Sequence, residues 1–113
     1  MSHEKNRELI QILNECAAEC RHCATACTEE KDANMLARCI KLNTDCAEIC
    51  SLVISFLARG SEHSEHLLKE CADICTDCAN ECGKHTHMGH CVSCAEICRR
   101  CARACLQPLQ ATP

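Results

Sequence analysis

The sequence is nearly devoid of aromatic side chains: its 113 residues include one phenylalanine and no tryptophan or tyrosine. Large aliphatic residues are also scarce, because leucine, isoleucine and valine together with that phenylalanine number only 20. A content this low excludes a conventional aliphatic and aromatic core and is otherwise typical of disordered chains. If the chain folds, another residue type must fill its interior.

Long apolar runs and basic clusters are absent as well. No stretch of 18 apolar residues occurs, so we expect no membrane-spanning helix. Lysine and arginine are scattered through a chain of net charge −4, which argues against nucleic-acid binding. The polar N-terminus resembles neither a signal peptide nor a twin-arginine leader. We therefore expect a cytoplasmic protein, in a compartment that keeps thiols reduced.

Cysteine is the abundant residue, with 16 copies. Such a content indicates a disulfide scaffold or a metal protein, and a reducing cytoplasm favours the metal. Within each of four groups the cysteines are three, four or seven residues apart, which is the spacing of one stripe on an α-helix. Neighbours on such a stripe stand too far apart for disulfides that leave the helix intact. The predicted metal ligands are Cys16, Cys20, Cys23, Cys27, Cys39, Cys46, Cys50, Cys71, Cys75, Cys78, Cys82, Cys91, Cys94, Cys98, Cys101 and Cys105.

The stripe is built from an internal repeat. The pattern Cys-x-x-x-Cys-x-x-Cys-x-x-x-Cys occurs at residues 16–27, 71–82 and 94–105. A fourth copy starts with Cys46 and Cys50, but Val53 and Leu57 take its last two thiol positions. In each copy an alanine follows the first cysteine, and this small side chain beside the stripe lets helices approach closely.

Turn and capping residues divide the chain into four helices. Ser2, Asp32 and Ser61 are predicted to cap helix N-termini, Gly60 to end the second helix in the left-handed conformation, and Gly83 to end the third. Short loops make successive helices antiparallel. We therefore predict an all-α fold, an antiparallel up-down-up-down four-helix bundle with a cysteine-lined core. It forms a single domain of residues 1–113, with helices at roughly 3–27, 32–59, 62–82 and 87–106.

One end of this bundle is expected to be closed by apolar side chains. These side chains should provide the main hydrophobic stabilisation of the metal-free fold. Cysteines 16, 50, 71 and 105 lie toward this end. The predicted aliphatic plug consists of Leu9, Ile12, Leu13, Val53, Phe56, Leu57, Leu67, Leu68 and Leu106.

The opposite end, near cysteines 27, 39, 82 and 91, carries imidazole and thioether groups. These soft or intermediate ligands suit the capture of an incoming metal ion. The candidates are His87, His90, Met35 and Met88, of which His87 falls seven residues before Cys94 on the stripe itself. Asn43 follows Cys39 by four residues, where its amide could approach the axis and donate to a thiolate. We expect it instead at the edge of the stripe, with Leu42 packed inward.

The charge of the core discriminates between metals. Four Zn²⁺ ions in separate Cys₄ sites would leave half the charge of 16 buried thiolates uncompensated, which is severely unfavourable. Cu(I) prefers thiolate, and one bridging thiolate per ion keeps the core neutral. Two alternatives remain open at this point: a metallothionein-like Zn or Cd buffer, and a structural or redox protein with cysteine as packing. Catalysis is not expected, because the loops are short and no cysteine stands apart with a dedicated partner.

The three full repeats and the helix with Cys39, Cys46 and Cys50 resemble the bacterial copper storage proteins over about residues 5–106. The chain is similar to their cytosolic branch. The resemblance implies a cysteine-rich four-helix bundle that holds many Cu(I) ions per chain and assembles as a homotetramer. It also implies copper uptake near His and Met residues at one bundle end, which match His87, His90, Met88 and Met35. Helix 2 departs from the pattern at Val53 and Leu57, which implies a lower capacity.

Overall fold

The computed structural model describes residues 6–109. Within that range the chain forms four α-helices: α1 (Arg7–Thr28), α2 (Ala37–Ala58), α3 (Ser64–Cys82) and α4 (Gly89–Cys105). A short 3₁₀ helix, Ala33–Leu36, leads into α2. Helix α1 packs against α2 and α4, and α3 packs against the same two helices. The predicted antiparallel up-down-up-down bundle is therefore confirmed.

The helix ends differ in detail from those expected. The start predicted at Ser2 lies outside the described residues. Asp32 precedes the 3₁₀ helix without a side-chain capping bond, so the α-helical part of the second segment begins only at Ala37. Ser61 does not cap α3 directly, because that helix starts three residues later; its Oγ instead accepts a hydrogen bond from the His63 N–H at 3.1 Å.

The two glycines that were predicted to end helices, Gly60 and Gly83, adopt different backbone conformations. Gly60 has φ of 66°, the left-handed conformation that glycine adopts without a steric penalty. Gly83 ends α3 with φ of −64°, so handedness does not explain it. A Cβ atom at Gly83 would lie 2.9 Å from the Arg99 guanidinium and 3.0 Å from the Ala79 carbonyl oxygen. The guanidinium is the end of a flexible side chain that can shift, and Ala79 belongs to α3 itself, so neither contact with α4 nor handedness requires glycine at this position.

Cysteine side chains make up most of the buried core. All 16 cysteines are buried, and Cys105, at 4% exposure, is the only one with any solvent contact. Alanines beside the stripe are buried in the same way, so small side chains at the helix contacts bring the four stripes together. None of the helices within residues 6–109 combines the length and hydropathy that a bilayer crossing requires.

Most of the predicted plug lies where expected. Leu13, Val53, Leu57 and Leu68 are fully buried, and the other members except one are partly buried. Leu106 was wrongly assigned: it is 64% exposed, because α4 ends at Cys105 and the residue beyond it leaves the stripe. The aliphatic contacts at this end stabilise the bundle without metal, at about 25 cal/mol per Å² of buried apolar surface.

Candidate metal centre

The thiol groups form one continuous column along the bundle axis. Every cysteine is in the free thiol form, and sulfurs on different helices approach each other at distances of 3.1 to 4.0 Å. The order along the axis follows the antiparallel arrangement: Cys27 meets Cys91 at 3.8 Å and Cys39 meets Cys82 at 3.1 Å near one end. Cys50 meets Cys71 at 3.8 Å near the other.

Neighbouring sulfurs group into tetrads whose ligand atoms all lie within 4.8 Å of one another. The tetrads overlap, since Cys16 and Cys46 each belong to two of them. Independent tetrahedral sites need four ligands of their own, so neighbouring tetrads cannot all be filled as separate zinc sites. A thiolate that bridges two ions fits this geometry. The thiol tetrads are Cys16–Cys46–Cys50–Cys75, Cys16–Cys20–Cys46–Cys98, Cys20–Cys78–Cys94–Cys98 and Cys50–Cys71–Cys75–Cys101.

One further group of ligands includes an imidazole at the end of the column. The Nδ1 atom of His90 lies 3.5 Å from the Cys91 sulfur, 3.6 Å from that of Cys23 and 3.9 Å from that of Cys27. These four residues form a tetrad of their own. The His90 side chain is 14% exposed, so the imidazole stands between the thiols and solvent.

The other predicted ligands at this end are placed differently. Among the described histidines, His90 alone lies within hydrogen-bonding distance of a thiol. His87 is exposed and precedes the start of α4 at Gly89, so it is not on the helical stripe. Met35 lies on the 3₁₀ helix and is 75% exposed, whereas Met88 is partly buried against the core.

Asn43 lies within the column rather than at its edge. It is 0% exposed, and its Oδ1 accepts hydrogen bonds from Cys78 and Cys94, both at 3.1 Å, and from Cys82 at 3.6 Å. Its Nδ2 donates to the Cys39 sulfur at 3.7 Å. The predicted edge position was wrong because four thiols satisfy the buried amide, which removes the usual cost of burying it.

A comparison with known families agrees with this site. A family model described as "Copper storage protein" matches residues 2–110. The chain belongs to the copper storage protein family. Cu(I)-bound BsCsp3, a copper storage protein of Bacillus subtilis, superposes with a TM-score of 0.85 at 38% identity, over 89% of this chain and 94% of that chain.

Two further relatives of this chain are a solved structure and a protein known by its sequence. A cytosolic copper storage protein from Streptomyces lividans, solved with five coppers, has a TM-score of 0.86 at 35% identity, covering 92% of this chain and 91% of that one. A cysteine-rich protein of Bacillus subtilis, YhjQ, is 41% identical over 82 residues, which make up 73% of this chain and 75% of that protein. The four-helix architecture is thus common to this copper storage protein and its solved relatives.

Burial and hydrogen bonds between thiols shift the pKa values in the metal-free core in both directions. The hydrogen bond with Cys101 lowers the pKa of Cys50 and of Cys105, whereas other thiols are held in the neutral form. Burial raises the pKa of the Cys27 thiol to about 11. The hydrogen bond to Cys16, together with burial, holds the pKa of Cys98 well above its ordinary value. A core of neutral thiols avoids uncompensated charge, and a monovalent cation that replaces one proton preserves that neutrality.

Two carboxylates near the His90 end were not anticipated from the sequence. Glu81 is buried and receives hydrogen bonds from Arg38 at 3.0 Å and Lys84 at 3.3 Å, and pairs with His85 at 3.2 Å. Burial opposes the ionised form, but the hydrogen bonds from these three partners lower the pKa of Glu81. Glu30 pairs with His90 at 3.2 Å. Spacing of four residues signals the pair of Glu81 and His85, but no local pattern signals the pair between Glu30 and His90.

Proposed function

We propose that this copper storage protein sequesters many Cu(I) ions through the thiolates of its 16 core cysteines. The overlap of the sulfur tetrads carries the proposal, because shared thiols suit an ion that accepts bridging thiolates and do not suit closed Cys₄ zinc sites. Copper and not zinc also keeps the buried core uncharged. The metallothionein-like zinc or cadmium buffer is therefore not favoured.

An anaerobic titration against a chromophoric Cu(I) chelator tests this function. We expect roughly 16 tightly bound ions per chain, on the order of one per thiol. A plateau near four, or equal retention of Zn²⁺ and Cu⁺ under competition, would contradict the proposal. Cys46→Ser removes a sulfur that two tetrads share and should lower the capacity, whereas Ser55→Ala on the exposed face of the same helix should not.

We also propose that copper passes into the column at the His90 end. His90 is the partly exposed ligand of an otherwise buried tetrad, and an imidazole nitrogen exchanges Cu(I) more readily than a bridging thiolate. His90→Ala should slow the binding of the first equivalents and leave the final capacity nearly unchanged. His22→Ala, an exposed histidine on α1, is the control. We propose Met35, His87 and Met88 only as transient contacts for copper on the rim of this end.

The compartment, the assembly and the lack of a catalytic role are proposed from membership of the family. The Streptomyces lividans relative is a cytosolic copper storage protein, and we propose the same compartment here. A homotetramer, a single domain over residues 1–113 and the lack of a catalytic role complete the proposal. Sedimentation of the metal-free and copper-loaded protein tests the assembly, and a monomer at micromolar concentration would contradict it.

A further inference from the structure

The side chain of Glu30 joins the turn after α1 to the imidazole at the end of the thiol column. Its Oε1 lies 3.2 Å from Nε2 of His90. The backbone N–H of Glu30 donates to the Cys27 carbonyl oxygen at 3.3 Å, which ties the turn to the helix that supplies Cys23 and Cys27. One carboxylate is thereby held against His90 from the same segment that carries two of the thiols around it.

This contact determines which imidazole nitrogen carries the proton. A neutral imidazole has one N–H and one lone pair, and an ionised carboxylate can only accept a hydrogen bond. Nε2 of His90 must therefore be the protonated nitrogen when it faces Glu30. Nδ1 is then left with its lone pair toward the sulfurs of Cys23, Cys27 and Cys91, at 3.5 to 3.9 Å. The opposite tautomer would place a lone pair against the carboxylate.

We infer that Glu30 is the positioning residue that keeps Nδ1 of His90 unprotonated and aimed at incoming Cu(I). The inference rests on the proposed copper function. Metal-binding histidines commonly donate their second N–H to a carboxylate, which fixes both ring orientation and tautomer. Here the carboxylate lies in the turn after α1, whereas the histidine lies on α4. The first contact of copper with the protein therefore depends on the position of that turn.

The pair of Glu81 and His85 provides an internal comparison. It has the same Nε2 to carboxylate distance of 3.2 Å, but Glu81 is also engaged by Arg38 and Lys84. His85 lies within hydrogen-bonding distance of no thiol among residues 6–109. That pair therefore stabilises the end of α3, and only the pair of Glu30 and His90 faces the metal column.

The test reads the tautomer directly in the metal-free full chain. Long-range proton–nitrogen NMR of the imidazoles, at a pH where they are neutral, reports which nitrogen is protonated, and His90→Ala assigns the signal. We expect Nε2–H in the wild type and a mixture of tautomers in Glu30→Ala. Glu30→Gln retains a carbonyl acceptor and should preserve Nε2–H. Glu29→Ala, which removes the neighbouring exposed carboxylate, should leave the signal unchanged.

Stopped-flow binding of the first Cu(I) equivalent supplies the second readout. Loss of a carboxylate that orients a metal-binding histidine typically lowers metal affinity or activity by about 10- to 100-fold. We therefore expect Glu30→Ala to load Cu(I) roughly tenfold more slowly than the wild type and Glu30→Gln to load it nearly as fast. An unchanged tautomer in Glu30→Ala overturns the inference. Equal slowing in the alanine and glutamine variants also overturns it, because charge attraction alone would then explain the rate.

The two proposals fail separately. If the wild type binds few Cu(I) ions, the copper function fails whatever tautomer His90 has. If the wild type binds roughly 16 ions and Glu30→Ala matches it in both tautomer and rate, only the role of Glu30 fails. Far-UV circular dichroism of each variant verifies that the helices are retained.

Discussion

Replacing Asn43 by alanine should destabilise the metal-free bundle. The side chain makes four hydrogen bonds with thiols in a fully buried position. Sulfur is a weak partner, so each bond is assigned about 0.5 kcal/mol, the low end of the usual net range, which gives roughly 2 kcal/mol for the four. At about 4 °C per kcal/mol for a chain of this length, Tm should fall by about 8 °C.

Thermal unfolding followed by circular dichroism, under anaerobic reducing conditions and without metal, measures this change. Asn80→Ala is the matched control, because Asn80 lies exposed on α3. There the higher helix propensity of alanine should raise stability by a few tenths of a kcal/mol, roughly the gain that Asn43→Ala also receives. If both variants unfold within about 2 °C of the wild type, the amide contributes no net stability and the reasoning from its contacts is wrong.

Three further predictions concern protons and access. Thiols such as Cys27, whose pKa is raised to about 11, are protonated at neutral pH, so Cu(I) that binds them should release protons, and affinity should weaken as the pH falls. Calorimetry in buffers of different ionisation enthalpy measures this, and loading without proton release would contradict it. Glu81→Gln should cost about 1–2 kcal/mol near pH 7; since the folded pKa of Glu81 is lowered, the difference from wild type should vanish as the pH falls through that value, while Glu70→Gln at an exposed site changes little. Cys105, the one cysteine with solvent contact and with a pKa lowered by hydrogen bonds from Cys101 and Cys71, should be alkylated first in the metal-free protein; peptide mapping that finds Cys27 modified earlier would refute this.

The stripe of cysteines could be predicted from the sequence because it depends on helix periodicity alone. Steps of three and four residues place side chains on one face whatever surrounds them, so the thiols lie in the core as expected. The alternation of helix direction followed from the short loops in the same way. These are local properties, and neighbouring elements do not change them.

The features that were missed depend on contacts between helices or on the exact start of a helix. His87 was placed on the stripe by counting back from Cys94, but α4 begins at Gly89, so the count does not apply to it. The burial of Asn43 depends on partners from three helices, and the reach of Glu30 to His90 spans 60 residues. Spacing along the chain carries no information about such pairs.

All the cysteine sulfurs of this protein come from the four α-helices and none from a connecting turn. Each helical repeat contributes two cysteines per seven residues, and seven residues extend a helix by about 10 Å. Lengthening all four rods by that amount would add on the order of eight sulfurs and leave the cross-section as it is. The number of thiol ligands in this architecture therefore depends on the length of the helices. More ligands require additional helical turns with the same cysteine spacing and no change of fold.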